Sequence, residues 1–160
     1  MHRLALVHGR VMGQHGPREG LAVVIEGEHI VGLFNEDAEE VRDLARHDLQ
    51  GRLLLPGFID VQVNGGGGLL FNDSPDLETL RGIARAHRRF GTTAMLPTLI
   101  TDTQATMEAA VAAVDEAIAA GVPGILGIHL EGPFLATQRR GIHNAELCRL
   151  PDARDYALLA

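Results

Sequence analysis

Residues 54–72 read Leu54-Leu55-Pro56-Gly57-Phe58-Ile59-Asp60-Val61-Gln62-Val63-Asn64-Gly65-Gly66-Gly67-Gly68-Leu69-Leu70-Phe71-Asn72. An apolar run enters through Pro56-Gly57, and polar side chains then take every second position, at Asp60, Gln62 and Asn64. In a strand, side-chain alternation sends those three to one face. The glycines from Gly65 to Gly68 let the backbone turn sharply or approach a ligand closely. A strand ending in polar side chains and a glycine loop is how an α/β barrel presents chemistry, at the C-terminal ends of its strands. The run lacks the G-x-G-x-x-G spacing of a dinucleotide site, and no Gly-Lys-Ser/Thr follows as in a P-loop, so a tight turn is its plain reading.

Downstream, strands and helices alternate, the mark of parallel βα units. The first strand covers about 57–63. A helix over about 75–90 follows, with Ser74 placed to cap it, Pro75 in its first turn and Gly91 as its stop. Leu77, Leu80, Ala84 and His87 or Phe90 share one side of it. Thr92 to Leu96 form the second strand, ended by Pro97, and a second helix spans about 103–120 with Met107, Val111, Val114 and Ile118 as its apolar stripe. Residues 125–130 are the third strand, with Glu131 at its C-terminal end. Upstream, residues 4–7, 21–25 and 29–34 read as short strands, the last two joined by a hairpin at 26–28, and the acidic stretch 35–43 reads as a loop or short helix.

The fold expected is therefore α/β: part of a small β-sandwich lobe over 1–52, then the first three βα units of a (β/α)8 TIM barrel over 53–160. A full barrel needs about 200 residues or more. No fourth strand offers itself after Leu130, so an N-terminal fragment of a longer enzyme, or a truncated gene product, is expected.

The composition narrows the function. With 46% hydrophobic residues in 160, the chain can bury a real core. The net charge of −7, with basic clusters (Arg85, Arg88, Arg89; Arg139, Arg140) free of interleaved aromatics, argues against a nucleic-acid binder. A single cysteine, Cys148, excludes an internal disulfide and fits a reducing cytoplasm. Neither an export signal nor an apolar run of about 18 residues is present, so no membrane partner is expected.

Glu131 is the leading candidate for chemistry: Gly132-Pro133 ends the strand right after it, and a carboxylate is a hard oxygen donor for a divalent cation. His129 has the same parity one layer deeper and reads as a hydrogen-bonded histidine. Gln62 and Asn64 are neutral amides, poor zinc ligands beside imidazole or carboxylate. Plain bonding to neighbouring strands and a role supporting a metal ligand are both open for them. Thr98 is equally a capping or a lining residue, and Arg139 and Arg140 read as a solvated pair. There is no Gly-x-Ser-x-Gly elbow, no His-Glu-x-x-His, and no catalytic setting for Cys148.

Three motifs, PGFIDVQVNGGGG at 56–68, LPTLIT at 96–101 and HLEGPF at 129–134, resemble those of the amidohydrolases, and within them the N-acetylglucosamine-6-phosphate deacetylase family; the resemblance runs over nearly the whole chain. It implies hydrolysis of the acetamide of N-acetylglucosamine 6-phosphate to glucosamine 6-phosphate and acetate. It also implies one divalent ion, zinc or iron, held by Glu131 and by two histidines of later strands; the general-base aspartate too would lie beyond residue 160. The chain alone is therefore expected to be inactive. Gln-Val-Asn stands where many amidohydrolases have His-x-His, which implies one metal rather than a pair. The Gly-x-His-Asn motif at 141–144 places His143, with the backbone of Ile142, against the sugar, and the full-length protein is expected to be a homo-oligomer, a dimer. A dihydroorotase- or hydantoinase-like enzyme would share the Pro-Gly-Phe-Ile-Asp strand but would keep His-x-His and would leave His-Leu-Glu-Gly-Pro unexplained. A non-catalytic module, associating through unpaired barrel edges, is the third class.

Overall fold

The computed structural model describes residues 2–160, and its packing divides at Pro56–Gly57 into two units. The first is built from β1 (Arg3–Val7), β2 (Arg10–Gly13), β3 (Gly16–Arg18), β4 (Leu21–Glu26), β5 (His29–Asn35), α1 (Glu39–Arg42), β6 (Ala45–Asp48) and β7 (Leu53–Leu54). One sheet has the order β5-β4-β1-β6, the other β3-β2-β7. β4 holds the unit together because both of its faces are covered. Ala22 and Val24 pack with Ala5, Val7 and Val41, whereas Leu21 and Val23 pack with Val11 of the second sheet. The β4–β5 hairpin closes between Glu26 and His29, with Gly27 at φ +60, the positive φ that a two-residue hairpin loop requires. Leu53 and Leu54, expected to open the barrel, instead pair with β2 as β7 of this unit.

The second unit contains β8 (Phe58–Val63), the short hairpin β9 (Gly65–Gly66) and β10 (Leu69–Leu70), α2 (Leu77–Arg88), β11 (Thr92–Ile100), α3 (Gln104–Ala119), β12 (His129–Glu131) and α4 (Ala153–Leu159). β12, β11 and β8 form a parallel sheet in that order, and α2 and α3 are the connections between its strands. The core joins Leu80, Ile83 and Ala84 of α2, Met107, Ala110 and Val114 of α3, and Met95 and Leu99 of β11, with Phe71 and Val63. This is the alternation of apolar strand and amphipathic helix that parallel βα units need.

Several local expectations are corrected. Asp76, not Ser74, caps α2: its side chain accepts the Thr79 N–H, since a carboxylate reaches that orphan donor better from the position next to the helix. β11 does not end before Pro97 but runs on to Ile100. Pro97 sits at a register irregularity, one of the places within a strand where a missing N–H costs little. α3 buries Met107, Ala110, Ala113, Val114 and Ala117, leaving Ile118 46% exposed. Its inner face is therefore an alanine stripe, rotated from the expected Val111–Ile118 side. The third strand is shorter than 125–130: Ile125 makes one isolated bridge to Met95, and regular pairing starts only at His129. Finally, Asp60 pairs with Met95 but Val63 with Pro97, so β8 carries an extra residue there and the strict alternation of Asp60, Gln62 and Asn64 is broken. Asp60 Oδ1 accepts the Gln62 N–H at 3.1 Å across this bulge.

Candidate active site

β12 ends at Glu131, beside the end of β11, because Thr98, Leu99 and Ile100 pair in register with His129, Leu130 and Glu131. That register sets one histidine–threonine pair, and the loop after β12 brings in a second. Thr98 Oγ1 lies 3.1 Å from His129 Nδ1, and Thr101 Oγ1 lies 2.8 Å from His143 Nδ1. The Thr98 hydroxyl also donates to the Leu96 carbonyl, 3.3 Å away, which leaves its lone pair for an Nδ1–H of His129.

Glu131 is the meeting point. Gln62 Nε2 donates to Glu131 Oε2 at 2.8 Å across the sheet, and Glu131 Oε1 faces His143 Nε2 at 3.4 Å. The carboxylate thus turns toward both residues. His143 is 8% exposed, far from a solvated loop histidine, whereas its neighbour Ile142 is 91% exposed. The structure therefore brings Gln62, Glu131 and His143 together. His129 stays with Thr98, and Asn64 uses its backbone carbonyl to accept the Phe71 N–H at 2.9 Å.

Three residues that sequence reasoning passed over fix this arrangement. Thr101, buried at the end of β11, touches His143 and the Glu131 carbonyl. Asn72 clasps β11 by donating to the Ile100 carbonyl and accepting the Ile100 N–H, both at 3.1 Å, and also donates to Asp102 at 2.9 Å. Burial pushes the Asp102 carboxyl up, but the bonds from Asn72, Thr103 and Thr106 outweigh it and hold the group below the usual aspartate value. Arg149 secures the loop after β12. Its backbone N–H donates to the Pro133 carbonyl at 3.1 Å, and its guanidinium lies 5.3 Å from the Phe134 ring centre. Its Nη1 and Nη2 donate to both oxygens of Asp155, at 2.5 and 2.6 Å, and Nη2 also reaches Gln104 at 2.6 Å. The Arg149 bond is the main reason that the Asp155 carboxyl falls from the ordinary 3.8 to about 2, with further bonds from the Asp152 N–H of the α4 capping box. Asn72 and Thr101 sit inside or next to the quoted motifs, which was the available signal; Arg149 gave none.

Among the described residues, no three of His, Cys, Asp and Glu gather closely enough to hold a metal ion, and Glu131 contributes a single carboxylate. The described residues therefore do not complete a metal site. No helix among them is long and apolar enough to cross a membrane.

A buried imidazole, a carboxylate and an amide converge at the C-terminal ends of parallel strands connected by helices, which defines an α/β protein with polar side chains gathered where such folds carry their sites. No family model matches the chain. Individual proteins do. It is 51% identical over 150 residues to an N-acetylgalactosamine-6-phosphate deacetylase of Shewanella sp. strain ANA-3, covering 93% of this chain and 38% of that protein. It is 34% identical over 156 residues to an N-acetylglucosamine-6-phosphate deacetylase of Haemophilus influenzae, covering 96% and 41%. The crystal structure of N-acetylglucosamine-6-phosphate deacetylase from Pasteurella multocida superposes with a TM-score of 0.91 at 34% identity, over 98% of this chain and 41% of that one. Over nearly all of its length the chain is similar to deacetylases of N-acetylhexosamine 6-phosphates, and it spans about two fifths of the length of the relatives it matches.

Proposed function

We propose that the site at Glu131 serves the hydrolysis of the acetamide of an N-acetylhexosamine 6-phosphate, water cleaving the amide C–N bond to give acetate and the free amine. The observation that supports this most is the Gln62–Glu131–His143 convergence at the end of β12, in a chain 51% and 34% identical to deacetylases of such sugars. In this reading Gln62 orients the carboxylate through Oε2, leaving Oε1 beside His143, and His143 with the exposed backbone at Ile142 contacts the sugar. His129 and Asn64 line the strand ends behind them. A divalent ion would lower the pKa of the attacking water and polarise the amide carbonyl; Glu131 would give it an oxygen ligand. The proposal includes the barrel reading of the second unit as its first three βα units, the lobe reading of residues 1–52, a cytoplasmic setting and a dimeric assembly.

The relatives are named for two sugars that differ only at C4, away from the amide, and the higher identity favours the galactosamine epimer. The test is a hybrid in which this chain replaces the matching N-terminal part of the Shewanella protein. Acetate release is followed from both 6-phosphates, beside the chain by itself, which is expected to be inactive. Acetate from either sugar supports the proposal, and a folded hybrid that releases none from both refutes it.

A further inference from the structure

We infer that Asp60 is a positioning residue: its carboxylate clasps the bulge in β8, and the bulge aims the Gln62 amide at Glu131. The ladder between β8 and β11 has two fixed pairs here, Asp60 with Met95 and Val63 with Pro97. Val61 and Gln62 therefore stand opposite Leu96 alone, two residues against one. Such an insertion disrupts the ladder locally and re-aims a side chain. The Gln62 N–H donates to Asp60 Oδ1 at 3.1 Å, so the bulge is held from within its own strand. Aspartate suits this task, because its short side chain reaches the backbone N–H two residues on. Asp60 is half-buried, and that N–H is the one hydrogen-bond partner of its carboxylate among the described residues.

The aim of Gln62 shows what the bulge does. β8 and β12 are not neighbours, since β11 lies between them. Adjacent strands are about 4.7–4.9 Å apart, so the two are separated by roughly twice that. A side chain standing upright on the sheet would not close such a gap. Gln62 does close it, donating from Nε2 to Glu131 Oε2 at 2.8 Å, so its amide leans across the end of β11. In the reading proposed above, this bond decides which carboxylate oxygen is left facing His143. That consequence rests on the reading; the clasp itself does not.

Couplings across hydrogen bonds, measured by NMR on the 15N,13C-labelled chain at a pH of about 7 where carboxylates are charged, read the clasp without turnover. Gln62→Ala assigns the Gln62 signals. Two couplings are expected in the native protein: from the Gln62 backbone nitrogen to the Asp60 carboxyl carbon, and from Gln62 Nε2 to the Glu131 carboxyl carbon. In Asp60→Ala the second is expected to be lost with the first. Asp60→Asn, whose amide oxygen accepts the same bond, should keep both. Absence of either coupling in the native protein overturns the inference. So does a Gln62–Glu131 coupling that persists in a folded Asp60→Ala or vanishes from a folded Asp60→Asn. If the alanine variant does not fold, the native and asparagine spectra decide. Deacetylation by the hybrid can fail while this result stands, and the reverse.

Discussion

Gly132→Ala probes the construction of the site through its tightest point. Gly132 has φ +96, outside the region that residues with a Cβ adopt readily, and costs of about 1–3 kcal/mol attach to such backbone. The added methyl would also take the space of Thr101 Oγ1, so the hydroxyl must move. Losing its bond to buried His143 adds about 1–3 kcal/mol, giving a total of about 2–6 kcal/mol. Gly141→Ala is the matched control: φ is +63 and nothing lies within 4 Å of the added carbon. It should cost only about 1–2 kcal/mol, the backbone term alone. At the midpoints of these ranges the two variants differ by about 2.5 kcal/mol, which at roughly 2–4 °C per kcal/mol for a chain of this size is a Tm difference of about 5–10 °C. The chain contains no tryptophan, so far-UV circular dichroism is the suitable probe. A Gly132→Ala protein as stable as Gly141→Ala would refute the packing of Thr101 against the loop, and with it the placement of His143.

Acid stability should report the Arg149–Asp155 pair. Asp155 is depressed in the folded protein to about 2 from 3.8, so its contribution is present above the unfolded value and is lost as pH falls from about 4 toward 2. The native unfolding midpoint should drop through that window more steeply than that of Asp155→Asn, and parallel pH profiles would contradict this. On α3, Ala117→Leu forces a large side chain into the alanine stripe, whereas Ile118→Leu alters a side chain that is 46% exposed. Urea melts should show a loss of about 1–3 kcal/mol for the first and no more than about 0.5 for the second; equal losses would show that the helix is rotated otherwise.

The order of strands and helices in the second unit was legible because apolar runs and helical spacing change over cleanly between residues 57 and 120. Ends and faces were harder. In Ser74-Pro75-Asp76 two cap residues compete within one turn, and only the bond to Thr79 decides for Asp76. α3 is so rich in alanine that its larger side chains suggested a face, yet close packing in the core chose the small ones. The bulge in β8 is invisible in a pattern that alternates without a break. Glu131 and His143 could be singled out as types at motif positions, and Gln62 as a polar strand residue. Thr101 and Arg149 act by bonding to them or to their loop, a property of register rather than of local sequence.

The most direct measurement is the rate of acetate release by the hybrid enzyme carrying Glu131→Gln. That substitution keeps the shape of the side chain and removes its charge. If the carboxylate at the end of β12 serves the reaction, several kcal/mol of transition-state stabilisation disappear and kcat/KM falls by about 10³-fold, with the circular dichroism spectrum unchanged. Activity within a few-fold of the unsubstituted hybrid would contradict the account.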